Sequence, residues 1–151
     1  MKKRVDLPEK KYEGYIFDLD GTLVDSMPLH YRAWREALAR AGAPDHVFRA
    51  DEFYSCGGKS ANDVVRFLNE RYGMHMDAAS TAADKRRIYL EMLEKEGMQP
   101  IREVVEFVHS LGDAPKAIAT GSAMPGASRT LAAAGLSGLF DVILTPDEVE
   151  H

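Results

Sequence analysis

The alternation of apolar and polar positions divides the chain into an α/β frame interrupted by a helical stretch. Tyr15-Ile16-Phe17 is a short apolar run that ends in polar turn residues, the pattern of a strand buried on both faces. After Asp25-Ser26 the period lengthens. Ala33, Trp34, Ala37, Leu38 and Ala41 recur at three- and four-residue spacing, with Ser26 as N-cap, Pro28 in the first turn and Gly42 as the stop. Asp45 to Phe53 predicts a short amphipathic helix. Val64, Val65, Leu68 and Tyr72 predict another that stops at Gly73. From Asp77 to Glu96 a longer helix carries Ala78, Thr81, Ala82, Ile88, Tyr89, Met92 and Leu93 on its apolar side, and Lys85-Arg86-Arg87 reads as a solvated face. Pro100 then opens a helix through Val104, Val105 and Val108 to Gly112. Lys116-Ala117-Ile118-Ala119 predicts a buried strand, Pro125 to Ala134 a helix, and Leu139 to Leu144 a third strand. Residues 28–97 thus form an all-helical insertion between two parts of an α/β core, 12–27 and 98–151, and residues 1–11 form a polar tail.

Composition narrows the class. An apolar content of 45% is that of a globular chain, and no apolar run reaches membrane-spanning length. The basic opening Met1-Lys2-Lys3-Arg4 is followed by no apolar signal core, so a cytoplasmic protein with no membrane partner is expected. The single Cys56 cannot form an internal disulfide and suits a reducing compartment. A net charge of −5 argues against nucleic acid as a partner, while leaving room for a locally positive phosphate pocket.

The candidate chemistry lies where strands end. Asp18 and Asp20 follow the first strand, the place where open α/β sheets put their ligand sites. One carboxylate can attack an electrophile while its neighbour delivers and removes protons. Against a phosphate, each carboxylate–anion pair at contact distance costs roughly 4 kcal/mol at an effective dielectric near 20, so a cation must intervene. Mg²⁺ suits oxygen ligands of this kind. Gly21 allows a sharp turn with backbone near the ligand, and the Thr22 hydroxyl can fix it. The same Asp-Gly pair also fits a two-residue hairpin turn flanked by Leu19 and Thr22, although the helix opening at Asp25-Ser26-Met27-Pro28 leaves little return strand. Thr120-Gly121-Ser122, after the second strand, can bind phosphate through hydroxyls and helix N-terminal amides, or serve as an ordinary strand-to-helix turn. Tyr54 to Asp63 is a polar loop whose glycines, lysine and hydroxyls could wrap a phosphate or sugar, or be a connector capped at Ser60. His30 and Trp34 share one helix face, with Trp34 read as core and His30 at its boundary.

Asp18-Leu19-Asp20-Gly21-Thr22-Leu23-Val24-Asp25-Ser26 resembles the first signature motif of the haloacid dehalogenase superfamily, DxDGTLxDS. Pro28-Leu29-His30-Tyr31-Arg32-Ala33-Trp34 resembles the β-phosphoglucomutase-like phosphatase branch. The resemblance implies a doubly wound, Rossmann-like α/β core with the helical stretch as a cap that closes over the active site. It implies Asp18 as a nucleophile that becomes an aspartyl phosphate, and Asp20 as general acid/base. It also implies Mg²⁺ held by the Asp18 carboxylate and the Asp20 backbone carbonyl. Thr120 takes the place of the family's second motif, His30 would lie near the substrate, and Lys59 and Asn62 fall in its substrate-specificity loop. The substrate expected is a small phosphorylated metabolite such as a sugar phosphate.

The resemblance runs over residues 12–151 and supplies the first two of the family's four motifs. No residue here can be assigned to the third-motif lysine or the fourth-motif acidic pair. The expected core is therefore partial, with the Asp18 strand at an edge and the other half supplied by a longer parent chain or a second chain. A phosphomutase that returns the phosphoryl group to another hydroxyl, and an inactive fragment or non-catalytic phosphate-binding module, remain the alternatives.

Overall fold

A computed structural model describes residues 7–148. Of the expected tail, residues 1–6 lie outside the described residues, as do 149–151. The chain divides into two units by its internal contacts, Met27–Glu96 and the remainder.

Among the described residues the α/β unit holds three strands, β1 (Tyr15–Phe17), β2 (Lys116–Ala119) and β3 (Val142–Leu144), in the order β1-β2-β3. All pairings are parallel: Phe17 lies beside Ile118, and Ile118 beside Ile143. Parallel neighbours require crossovers, which removes the hairpin reading of Asp20-Gly21. β1 occupies the sheet edge, as expected.

The register sorts side chains by face. Tyr15 and Phe17 point to the side where Phe107 meets their rings edge-on at 5.8 and 6.3 Å, and Phe140 meets Phe17 at 5.9 Å. On that side Ile118 is fully buried. The opposite side carries Ile16, Val142 and Leu144, which are 76%, 49% and 45% exposed. The expectation of a β1 buried on both faces is thus corrected. An edge strand has one neighbour in the sheet, and the described packing covers one of its faces. β3 is shorter than the expected 139–144, because Asp141 closes a turn: its N–H donates to the Lys116 carbonyl and its carboxylate accepts from the Lys116 N–H. The first core helix begins at Arg102 rather than Pro100, and the next spans Gly126–Ala133.

The helical unit contains four helices among the described residues: α1 (Met27–Arg40), α2 (Ala50–Ser55), α3 (Ala61–Tyr72) and α4 (Ala78–Glu96). In chain order α5 is then Arg102–Ser110 and α6 Gly126–Ala133. The unit's core gathers Trp34, Leu38, Val47, Phe48, Phe53, Val64, Val65 and Leu68. Ser60 caps α3 by accepting the Asp63 N–H at 3.1 Å, and Gly73 ends it in the left-handed region at φ 63°.

The predicted helix over 45–53 begins only at residue 50. Phe48 explains the delay: it is buried at φ 60°, a backbone a bulky residue adopts at a cost of about 1–2 kcal/mol. Glu52 holds it there. One of its carboxylate oxygens accepts the Phe48 N–H at 3.1 Å and the Tyr72 hydroxyl at 2.9 Å. The other lies 2.8 Å from Arg71 Nε as an ion pair without hydrogen-bond alignment.

Candidate active site

The loop after β1 is set by burial below it and backbone bonds within it. Leu19, Leu23 and Val24 are fully buried, so the intervening residues must turn tightly. Leu23 N–H donates to the Leu19 carbonyl at 3.0 Å, and Gly21 N–H to the Val24 carbonyl at 2.8 Å. Gly21 sits at φ 74°, the conformation that glycine alone adopts without strain. The loop is then tied to the chain's return into the α/β unit. Asp25 N–H donates to the Gln99 carbonyl at 3.0 Å and Ile101 N–H to the Leu23 carbonyl at 2.9 Å. Thr22 is half-buried within this turn, its N–H 3.3 Å from the Leu19 carbonyl.

Asp18 leaves the end of β1 exposed to solvent, with one carboxylate oxygen accepting the Leu19 N–H at 2.8 Å. Asp20 is half-buried and gripped at both oxygens. Ser26 Oγ donates to Oδ1 at 2.6 Å, and Ser122 Oγ donates to Oδ2 at 2.6 Å. Because Phe17 and Ile118 are in register, Asp18 and Thr120 emerge at the same end of adjacent parallel strands. Thr120 is anchored by its N–H to the Leu144 carbonyl at 3.0 Å, and its hydroxyl accepts the Ser122 N–H at 3.1 Å. Gly121 is exposed, and a Cβ there would meet nothing within 4 Å, so packing within the chain does not demand glycine.

Ser26 directly precedes α1, as expected of a cap residue; it is fully buried, and its hydroxyl proton goes to Asp20. One sequence reading changes here. Ser122, expected to open a helix toward an anion, lies before α6, which starts at Gly126 with Pro125 in the N-cap position and no side-chain capping bond. The intervening segment is drawn instead toward residues 146–148, where Met124 N–H donates to Asp147 at 3.0 Å.

The structure therefore brings together Asp18, Asp20, Gly21, Thr22, Thr120, Gly121 and Ser122. His30, Lys59 and Asn62 belong to the helical unit. There His30 stacks on Tyr89 with ring centroids 4.1 Å apart, and its Nδ1 lies 2.8 Å from Lys85 Nζ. Lys85 is half-buried, its ammonium 5.7 Å above the Trp34 ring and 5.4 Å above Tyr89, which corrects its reading as solvated. The signal was present: Lys85 interrupts the apolar series Thr81, Ala82, Ile88, Tyr89 on the same helix face. Lys59 is exposed, 5.7 Å above the Phe67 ring. Asn62 is half-buried with its Oδ1 unpaired. A groove of about 440 Å³ lined by Arg40, Ser80, Asp84 and Arg87 offers an anion little, since Arg40 is paired with Glu36, and Arg87 with Asp84 and Glu91.

As metal donors, the described residues hold no cluster of three or more His, Cys, Asp or Glu side chains. The exposed Asp18 carboxylate is still a hard oxygen donor, and Mg²⁺ is commonly held by one or two carboxylates with waters and a substrate phosphate making up the rest. The donor set fits an ion carried in part by its substrate.

Comparison with known proteins gives a consistent picture. A family profile described as haloacid dehalogenase-like hydrolase matches residues 15–151. The fructose-1-phosphate phosphatase YqaB of Escherichia coli (strain K12) is 31% identical over 143 residues, covering 94% of this chain and 73% of that protein. Hexitol phosphatase A of the same organism is 32% identical, covering 92% of this chain and 62% of that protein. Among solved structures, CbbY from Rhodobacter sphaeroides in complex with phosphate superposes with a TM-score of 0.75 at 22% identity, over 92% of this chain and 65% of that one. The chain thus spans about two thirds of the length of the proteins it matches.

Proposed function

Because this chain belongs to the haloacid dehalogenase-like hydrolase family, we propose that it carries the nucleophile, the acid/base and the phosphate cradle of a hydrolase for small phosphate esters. Sugar phosphates are the substrate class, a choice supported by the named activities of the fructose-1-phosphate and hexitol phosphatases. One observation carries the reading. Asp18 and Thr120 emerge from adjacent parallel strands, and Asp20 between them is bonded to the loop that follows Thr120.

In this mechanism an Asp18 carboxylate oxygen attacks phosphorus in line as the ester P–O bond breaks. Asp20, as the acid, gives its proton to the departing alkoxide oxygen. Water then attacks the aspartyl phosphate on Asp18. Asp20, now the base, takes the proton of that water, and inorganic phosphate leaves with Asp18 regenerated. Thr120 and the loop amides hold the transferring group, the positioning that dominates phosphoryl transfer. The Asp18 carboxylate and the Asp20 carbonyl would hold Mg²⁺, which would neutralise carboxylate and phosphate charge.

The test is phosphate release from a panel of sugar and nucleoside phosphates, with Mg²⁺ or with chelator, and the Asp18→Asn variant beside it. Mg²⁺-dependent release that vanishes in Asp18→Asn is expected. Release that survives the substitution removes Asp18 from the nucleophile role. Phosphate binding by the folded protein with no turnover of any ester would favour the binding-module reading, and a transient bisphosphate would favour a mutase.

A further inference from the structure

We propose that Ser122 is a positioning residue for Asp20 and not a phosphate ligand. The inference rests on the acid/base role given to Asp20 above. Ser122 is 102 residues away from Asp20 in sequence, yet its hydroxyl donates to Asp20 Oδ2 at 2.6 Å.

A serine hydroxyl has one proton to give. With that proton directed at Asp20, the hydroxyl presents only lone pairs elsewhere, and lone pairs repel an anionic phosphate oxygen. Thr120 is in the complementary state. Its oxygen accepts the Ser122 N–H at 3.1 Å, which leaves the Thr120 proton to be donated outward. The two hydroxyls of this loop, alike in the sequence, thereby take different tasks: Thr120 faces the anion and Ser122 faces the carboxylate.

The bond at Oδ2 matters because of the one at Oδ1. Ser26 is fully buried and holds Oδ1 at 2.6 Å. A carboxylate fixed at one oxygen still pivots about that contact. Fixed at both, its plane is set, and so is the direction of the lone pair or proton it presents. Ser122 supplies the second point from the neighbouring strand's loop, and its own backbone is held by the bond to Thr120. The phosphate cradle and the acid/base are thereby built as one piece.

The experiment compares Ser122→Ala and Ser122→Thr with the natural protein in three readouts. These are kcat and KM for hydrolysis of a sugar phosphate, the affinity for inorganic phosphate by calorimetry, and the Asp20 χ1 populations from NMR three-bond couplings. Ser122→Ala is expected to lower kcat by about 10–100-fold, the scale of a misplaced catalytic group, with phosphate affinity unchanged and Asp20 spread over several rotamers. Ser122→Thr, which keeps the hydroxyl, is expected to restore kcat and the single rotamer. Weakened phosphate binding with kcat intact would make Ser122 a phosphate ligand and overturn the proposal. If the natural protein hydrolyses no ester, the functional reading fails, and the rotamer populations still decide the point. An Asp20 rotamer unchanged in Ser122→Ala refutes the positioning role, whatever the activity.

Discussion

Glu52 is a buried charged residue of the helical unit, and its removal has a magnitude that can be worked out. Its carboxylate is buried and accepts the Phe48 N–H at 3.1 Å and the Tyr72 hydroxyl at 2.9 Å. Glu52→Ala deletes both acceptors. Hydrogen bonds to a charged group contribute about 1.5–3 kcal/mol each. Phe48 is fully buried, so its N–H is left without a partner and the full cost applies. Tyr72 is half-buried and regains water, which places its share at the low end. Arg71 is 58% exposed, so the loss of its ion pair adds less than about 1 kcal/mol. The sum is about 4–5 kcal/mol, or about 8–20 °C in Tm for a chain of this size. Trp34, the chain's single tryptophan, reports directly, because its ring lies 5.6 Å from that of Phe48. Urea unfolding followed by Trp34 fluorescence should show the loss, and Glu52→Gln, which keeps an acceptor oxygen, should lose about a third as much. A Glu52→Ala loss under about 1 kcal/mol would refute the claim that this carboxylate holds Phe48 in its left-handed conformation.

Two further outcomes follow from the titrating groups. Glu96 is held below its ordinary pKa by its hydrogen bonds to Arg32, Asp63 by Ser60 and Arg66, Asp77 by the Ser80 N–H and hydroxyl, and Glu148 by Thr145. A carboxylate depressed in the folded state adds stability above its unfolded pKa and loses it as pH falls through the folded value. Tm should therefore decline from pH 5 toward pH 2, and Arg32→Ala should flatten part of that decline; an unchanged slope would refute the Glu96 contribution. Burial pushes the Cys56 thiol up, so a thiol reagent at neutral pH should label native protein slowly and urea-unfolded protein fast; rapid native labelling would contradict the burial.

Much of the frame was legible because it is written locally. The β2 boundaries followed from the apolar run Ala117-Ile118-Ala119 behind Lys116 and ahead of Thr120, and the α3 stop followed from Gly73, whose φ of 63° only glycine adopts cheaply. Asp18 and Thr120 were placed at strand ends by the same short-range signals. The start of α2 was not legible, because the residue that delays it, Phe48, is kept at positive φ by a carboxylate four positions on. The burial of Lys85 is hidden in the sequence because the charged triplet Lys85-Arg86-Arg87 masks the apolar period that Lys85 interrupts.

The sequence by itself determined the helical insertion, the strand ends and the pair of aspartates, since periodicity, caps and turn glycines act over a few residues. Only the tertiary structure decided which hydroxyl gives its proton to Asp20, that Lys85 meets His30, and that the sheet face carrying Ile16 and Val142 is exposed. Those outcomes join residues 55 to 102 positions apart or depend on which elements cover the sheet. The physical reason is that a serine has many possible acceptors and a strand two faces, and the choice among them is made by packing, once the parallel register sets β1 beside β2.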